Sequence, residues 1–239
     1  MMTSLRHKLS KANGIRKKFG LKATLQYATN VVGIPLCRFE ALTLVWLPAD
    51  EMKISLDLPD DTAMRFLTPA EVEAFAQDPA NEFVPSHVEK AHAGTALCFA
   101  ALVDGRLASY GWYTLGRAFA IGDNNLFMRG PSNAAYMHSG FTHPDFRGRR
   151  LHGIGMGRAL LALSDRGVNA LLSDVDWSNH ASLKSCSRLG YRMLGNLYSI
   201  GQGKRQFVST PEAARKLGVT IEKSPNEETA TSGPALNAA

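Results

Sequence analysis

The fold is read from the stretch Thr142-His143-Pro144-Asp145-Phe146-Arg147-Gly148-Arg149-Arg150-Leu151-His152-Gly153-Ile154-Gly155-Met156-Gly157-Arg158. A strand from Ala134 to Thr142 ends here. A loop rich in glycine and arginine turns, and a helix runs from about Leu151 to Arg166, stopping at Gly167. A helix start leaves N–H groups free, its dipole favours anions, and glycines let a ligand approach the backbone. Four arginines in the twelve residues from Arg147 to Arg158 add charge suited to a phosphate ligand, although a solvated basic loop would have the same composition. The spacing excludes two common phosphate loops. GxxxxGK[ST] is absent, and Gly153-Ile154-Gly155-Met156-Gly157-Arg158 has arginine where a dinucleotide fingerprint needs its last glycine.

The flanking sequence alternates between strand and helix patterns. Upstream, Ala63 to Leu67 reads as a short strand. Thr68-Pro69-Ala70-Glu71 supplies a capping threonine, a first-turn proline and a glutamate at the third helical position, so a helix starts there and runs to about Gln77. A second helix is expected near Pro85 to Ala91. Asp104-Gly105 between two apolar runs marks a hairpin from Ala96 to Leu115. A glycine- and asparagine-rich loop, Gly116 to Asn133, leads to the strand at Ala134. Downstream, Val168 to Asp176 is a strand. Ala181 to Leu189 is a short helix, capped by Ser178 or Asn179 and stopped by Gly190. Strands from Tyr191 to Ile200 and Arg205 to Val208 close the pattern. This order is an α/β architecture with a mixed sheet.

Two of these segments resemble the signatures of the GNAT superfamily of acyl-CoA-dependent N-acyltransferases. His143-Pro144-Asp145-Phe146-Arg147-Gly148-Arg149 is similar to the family's strand, proline, aromatic, Arg-Gly, helix motif. Asp174 to Asn179, then Ala181 to Leu189, then Gly190-Tyr191 look like its second motif of strand, Asn, short helix and Gly-aromatic. The resemblance covers roughly residues 62–209. It implies a GNAT-like mixed, mostly antiparallel central sheet flanked by helices. It also implies acetyl-CoA or another acyl-CoA as co-substrate and no metal. Backbone N–H groups at Gly140, Phe141 and Thr142 would then serve the acyl group and pantetheine, and Asn179 would contact pantetheine or simply cap its helix. The N–H groups of Arg147, Gly148, Arg149, Arg150, Leu151, His152 and Gly153 would hold the pyrophosphate. Two registers fit the family's [QR]-x-x-G-x-[GA] loop. Arg147 to His152 keeps the distance from Pro144 and is preferred, with Arg150 and His152 in place of both glycines. Arg150 to Gly155 keeps the glycines but begins a turn later.

The catalytic groups that the family would imply are only partly present. Its base is often a glutamate on the strand that enters the loop, but no acidic residue occurs between Asp123 and Asp145. Tyr136 and His138 share a strand face with Gly140, because side chains alternate with period two. His138 can accept a proton near neutral pH, or be a satisfied strand residue. The family's acid is a tyrosine seven residues after the Asn, and here that position is Cys186. A thiol with a reference pKa of about 8.5 can donate to a thiolate, and it is equally a small buried filler. Gly122-Asp123-Asn124-Asn125 either borders an acceptor pocket or is a plain exposed loop. His87 and His92 lack a ligand spacing, and HExxH is absent, so no metal site is expected.

Composition adds organisation. Of 239 residues, 45% are apolar and 20% charged, which permits a packed core and excludes global disorder. The net charge is +6, but residues 1–39 hold eight Lys/Arg and no acid, and the other 200 residues hold 19 basic against 21 acidic. A uniformly basic nucleic-acid surface is therefore excluded. Residues 1–48 read as a basic N-terminal extension with a broken amphipathic pattern, interrupted at Gly14 and Gly20. Residues 49–209 read as the acyltransferase domain. Residues 210–239 have no aromatic residue and read as a flexible tail. Three scattered cysteines form no CxxC, no uninterrupted apolar segment follows the basic N-terminus, and Val31 to Leu47 is too charged to span a bilayer. A cytoplasmic protein fits these features.

The resemblance thus implies transfer of an acetyl or other short acyl group from acyl-CoA to a primary amine, on a small molecule or a protein. A non-catalytic CoA-binding module of the same fold is the alternative. Residues 1–39 leave weak contact with an anionic membrane surface open, no specific nucleic acid is expected, and monomer and homodimer both fit.

Overall fold

The structure, a computed structural model, describes residues 2–53, 55–116, 119–121, 126–201 and 205–222. Helix α1 (Met2–Cys37) is followed by β1 (Glu40–Pro48), β2 (Thr62–Phe66), α2 (Pro69–Ala76), α3 (Pro85–His92), β3 (Leu97–Val103) and β4 (Arg106–Leu115). Then come β5 (Phe119–Ile121), β6 (Leu126–Arg129), β7 (Ala134–Thr142), α4 (Leu151–Ala162), β8 (Ala170–Asp176) and α5 (His180–Leu189). The chain ends in β9 (Arg192–Ile200), β10 (Phe207–Ser209), α6 (Glu212–Lys216) and β11 (Thr220–Glu222).

Eight strands form one sheet in the order β10-β9-β1-β8-β7-β4-β3-β2, and β11-β6-β5 form a second. All pairings are antiparallel except β7 with β8. This is the mixed, mostly antiparallel sheet flanked by helices that the motifs imply. One face packs against α4 and α5 through Val45, Tyr113, Met137, Met156, Leu160, Leu171 and Leu189. The opposite face is covered in two parts. Helices α2 and α3 lie over Cys98, Ala100, Tyr110 and Trp112. The small sheet and α6 lie over Leu44, Trp46, Tyr136, Leu172 and Leu197.

The local signals act as the sequence predicts. Thr68 and Glu71 form a reciprocal capping box at the start of α2, and Asp104-Gly105 turn between β3 and β4, both with positive φ. Gly190 takes φ 102° to end α5, and a side chain there would meet the Glu51 carbonyl at 2.2 Å.

Three expectations need correction. Residues 40–48, read as part of an extension, form a central strand between β8 and β9, with seven consecutive buried residues from Ala41 to Leu47. Burial on both faces removes the alternation by which a strand is recognised. Residues 212–222, read as flexible tail, fold as α6 and β11. Ala214 and Val219 are buried against the sheet, so a few apolar side chains suffice when a finished surface receives them. The loop expected from Gly116 to Asn133 contains β5 and β6, anchored by buried Ile121, Leu126 and Met128. The end of the tail, residues 223–239, lies outside the described residues.

Residues 2–37 are helical, with a bend at Gly20 (φ 82°, ψ −174°) but none at Gly14. No helix among the described residues is long and apolar enough to cross a membrane. Cys98 and Cys186 are buried and Cys37 is exposed, and none of the three is in a disulfide.

Candidate active site

The two parallel strands part. β7 and β8 pair only at Ala134 with Ala170, Ala135 with Leu171 and Tyr136 with Leu172. Burial follows the pairing: Ala134 to Met137 are buried, whereas Ser139 and Gly140 are exposed and Phe141 and Thr142 are half-buried. On its other edge β7 bulges. Tyr110 faces Phe141 and Trp112 faces His138, so Gly111 alone opposes Ser139 and Gly140. Ser139 takes φ 48° to make this possible. The Ser109 hydroxyl clamps the strand end, donating to the Phe141 carbonyl at 2.7 Å and lying 3.1 Å from Thr142 Oγ1. The result is a short exposed backbone edge at Gly140, Phe141 and Thr142, the three residues singled out from the sequence.

That edge runs into the loop before α4. A short 3-10 turn, Pro144–Phe146, is capped by His143, whose Nδ1 accepts from the Asp145 N–H at 3.3 Å. Arg147 Nε donates back to the Thr142 carbonyl at 3.3 Å. Gly148 sits at φ 87° in open space, and Arg150 takes φ 60° as the residue before the helix, without a capping side chain. The first-turn N–H groups of Leu151, His152 and Gly153 therefore have no helical carbonyl to bond. Helix α4 begins at Leu151, in keeping with the register that starts at Arg147. The arginines differ. Arg149 is engaged by Asp61 at 2.6 and 2.9 Å, whereas exposed Arg150 has no polar partner among the described residues.

His152 does not stand in front of this loop. Its ring is turned under the helix and packed on Gly140, beside Tyr110. Leu151 is buried beside Phe146.

On the face away from α4, Tyr136 donates a short hydrogen bond to the Asp174 carboxylate. The Tyr136 ring lies nearly parallel to the His138 ring at 5.4 Å. His138 Nε2 is 3.4 Å from Thr114 Oγ1, and its Nδ1 is 3.1 Å from Ser139 Oγ. Burial pushes the Asp174 carboxyl up, partly offset by the bond from Tyr136. Burial, with Lys90 and His87 nearby, pushes His138 down to about 3, so its imidazole is neutral at pH 7. Asp174 escapes a reading of β7 alone, because it lies on the neighbouring strand β8. Its signal was an acid inside the apolar run Ala170 to Val175, where an uncompensated charge is costly.

Cys186 is not part of this group. It packs in the core with Val175 and Tyr191 on the α4 and α5 face, and burial pushes its thiol up to about 11. The structure thus separates it from His138 and Tyr136 by the thickness of the sheet, and the small-filler reading describes it.

Beyond His138 the face is aromatic. His87 stacks on Trp112 at 4.8 Å and Phe83 on Tyr110 at 4.5 Å. His87 Nδ1 and Trp112 Nε1 are buried with no hydrogen-bond partner among the described residues. His92 instead pairs with Glu73 at 3.2 Å. The segment Gly122 to Asn125 lies outside the described residues. At the end of β8, Asn179 caps α5 by accepting from the Ser182 N–H at 3.2 Å. It also lines a cleft of about 640 Å³, shared with Ser178, His180 and the α1 residues Lys11, Ile15, Lys18, Phe19 and Tyr27. No cluster of three or more His, Cys, Asp or Glu disposed to hold a metal occurs among the described residues.

Both motifs thus occupy the structural context their resemblance requires, a strand, loop and helix start in one case and a capped helix with Gly-Tyr in the other. No family model and no curated protein matches the chain. Solved structures do resemble it in fold. A GNAT-family chain from Novosphingobium aromaticivorans is 20% identical at a TM-score of 0.49, over 70% of this chain and 66% of that one. A GNAT-family acetyltransferase from Colwellia psychrerythraea is 12% identical at 0.49, over 69% of this chain and 57% of that one. The aminoglycoside acetyltransferase AAC(6')-Iy, in complex with a CoA bisubstrate analogue, is 18% identical at 0.42, over 54% of this chain and 89% of that one. The chain therefore spans under two thirds of the length of the first two.

Proposed function

We propose that the protein is an N-acyltransferase that moves an acetyl or other short acyl group from acyl-CoA to a primary amine by direct attack. The parting of β7 from β8 carries this reading. It frees a backbone edge at Gly140 to Thr142 that leads toward the first turn of α4, whose N–H groups have no helical carbonyl to bond.

In this reading the first turn of α4 and Arg150 receive the pyrophosphate, and the pantetheine follows the freed edge of β7. Backbone donors on that edge stabilise the thioester oxygen as it gains charge. The amine enters from the opposite face, toward half-buried His138. Neutral His138 accepts a hydrogen bond from the amine and orients it. The nitrogen lone pair attacks the thioester carbon, the C–N bond forms and the C–S bond breaks. The proton lost by nitrogen passes through the Tyr136 hydroxyl to Asp174, and the departing thiolate is reprotonated to the free thiol. A carboxyl held above its ordinary range is a better base for this step than a histidine held near 3.

Release of free thiol from acetyl-CoA and from longer acyl-CoAs, across a panel of primary amines, tests the proposal. Amine-dependent thiol release that collapses in Asp174→Asn supports it. Acyl-CoA binding without turnover on any amine would leave only a CoA-binding module. If no acyl-CoA binds, the reading fails altogether.

A further inference from the structure

We infer that the N-terminal helical hairpin docks the protein on an anionic lipid bilayer. Helix α1 reverses at Gly20, so its two arms lie side by side, and Lys11 Nζ sits 5.5 Å from the centre of the Tyr27 ring across the hairpin. The second arm is fixed to the body. Ala23 is buried, and the Cys37 carbonyl accepts from the Gly201 N–H at 2.9 Å just before the chain enters the central strand β1.

The bend combines exposed apolar and exposed basic side chains. Leu21 and Leu25 are 64% and 59% exposed, and at four residues apart they share one helix face. Arg16, Lys17, Lys18 and Lys22 lie close to them in the chain and are all exposed. No acidic residue occurs in residues 1–39 to neutralise them. Phosphate groups of any polyanion would match the cations, but they offer nothing to the leucines. A bilayer interface takes both, with apolar side chains at the acyl boundary and cations at the headgroups. Since no helix among the described residues can span a membrane, contact is peripheral.

The inference is independent of the transfer reaction. It is tested by flotation of the full chain with phosphatidylcholine vesicles, with and without phosphatidylglycerol. Binding is expected only with phosphatidylglycerol, and it should weaken as salt is raised. Each cation at such a surface is worth about fivefold in partitioning, so reversing two of them in K17E/K18E should lower binding by more than about twentyfold. L21S/L25S should lower it severalfold while leaving the unfolding temperature unchanged, because both side chains are already in water. Absence of flotation with phosphatidylglycerol would overturn the inference. So would equal binding by both double variants, or binding to duplex nucleic acid that vesicles do not compete away.

Discussion

Replacing Gly140 by alanine should destabilise the protein through one residue, His152. Gly140 has no positive φ, so alanine carries no backbone penalty there. The methyl group is the problem. It would lie 2.3 Å from His152 Cε1, 2.8 Å from its Nε2 and 3.1 Å from Met137 Cε. Carbon atoms rest at roughly 3.5–4.0 Å, so the ring must withdraw by more than 1 Å. It cannot do so cheaply, because it is wedged between α4 and the sheet among Tyr110, Leu151 and Met156. Overpacking of this kind costs about 1–3 kcal/mol, which for a chain of this size lowers the unfolding temperature by roughly 2–12 °C. The assay is a double-mutant cycle in urea with G140A, H152A and G140A/H152A. Removing the ring first should relieve most of the alanine's cost, a coupling of about 1–3 kcal/mol. Because His152 belongs to the first turn of α4, G140A should also weaken acyl-CoA binding. If G140A is within about 0.5 kcal/mol of wild type, or costs the same without His152, the packing argument is wrong.

Four further outcomes can be checked. Asp174→Asn should cut turnover by about a hundredfold or more, yet leave the protein equally or more stable at pH 7. With a native pKa above the unfolded value, Asp174 costs stability as pH rises through that window, and an amide escapes this while still accepting from Tyr136. Arg150→Ala should raise KM for acyl-CoA by about tenfold, through loss of a charged hydrogen bond to phosphate. Cys186→Ala should cost about 1 kcal/mol in urea unfolding and leave kcat and its pH profile unchanged, since the thiol is core filling. His87 is pushed down to about 4 by burial and by Lys90, so the unfolded chain binds the extra proton between pH 6.5 and 4. Stability should fall as pH drops through that window, and His87→Gln should flatten the fall in thermal melts at stepped pH.

Much of the fold was legible because its punctuation is local. Thr68-Pro69-Ala70-Glu71, Asp104-Gly105, Gly167 and Gly190 all act where their chemistry requires, and α4 begins at the expected Leu151. What escaped has long-range causes. Glu40 to Pro48 is a strand only because strands far along the chain flank it, and Ala214 to Ile221 is ordered only because a sheet face awaits it. In the candidate site, the strand edge and the loop were found from motif and spacing. The sequence also placed Tyr136 and His138 on one face. The Asp174 partner was missed because it comes from the neighbouring parallel strand. Cys186 was placed by counting from Asn179, and counting does not show through which face of the sheet a helix packs.

The position of β1 also sets a timetable for synthesis. Pro48 pairs with Ala170 and Glu40 with Ser199, so this segment leaves the ribosome long before the strands that bond it. At about 5–20 residues per second, its nine residues wait roughly 6–30 s for their neighbours. Throughout that wait the run Ala41 to Leu47 is an unpaired, sticky strand. The stretch just ahead of it carries eight Lys/Arg and no acid, so two such chains meeting during that wait would repel one another there.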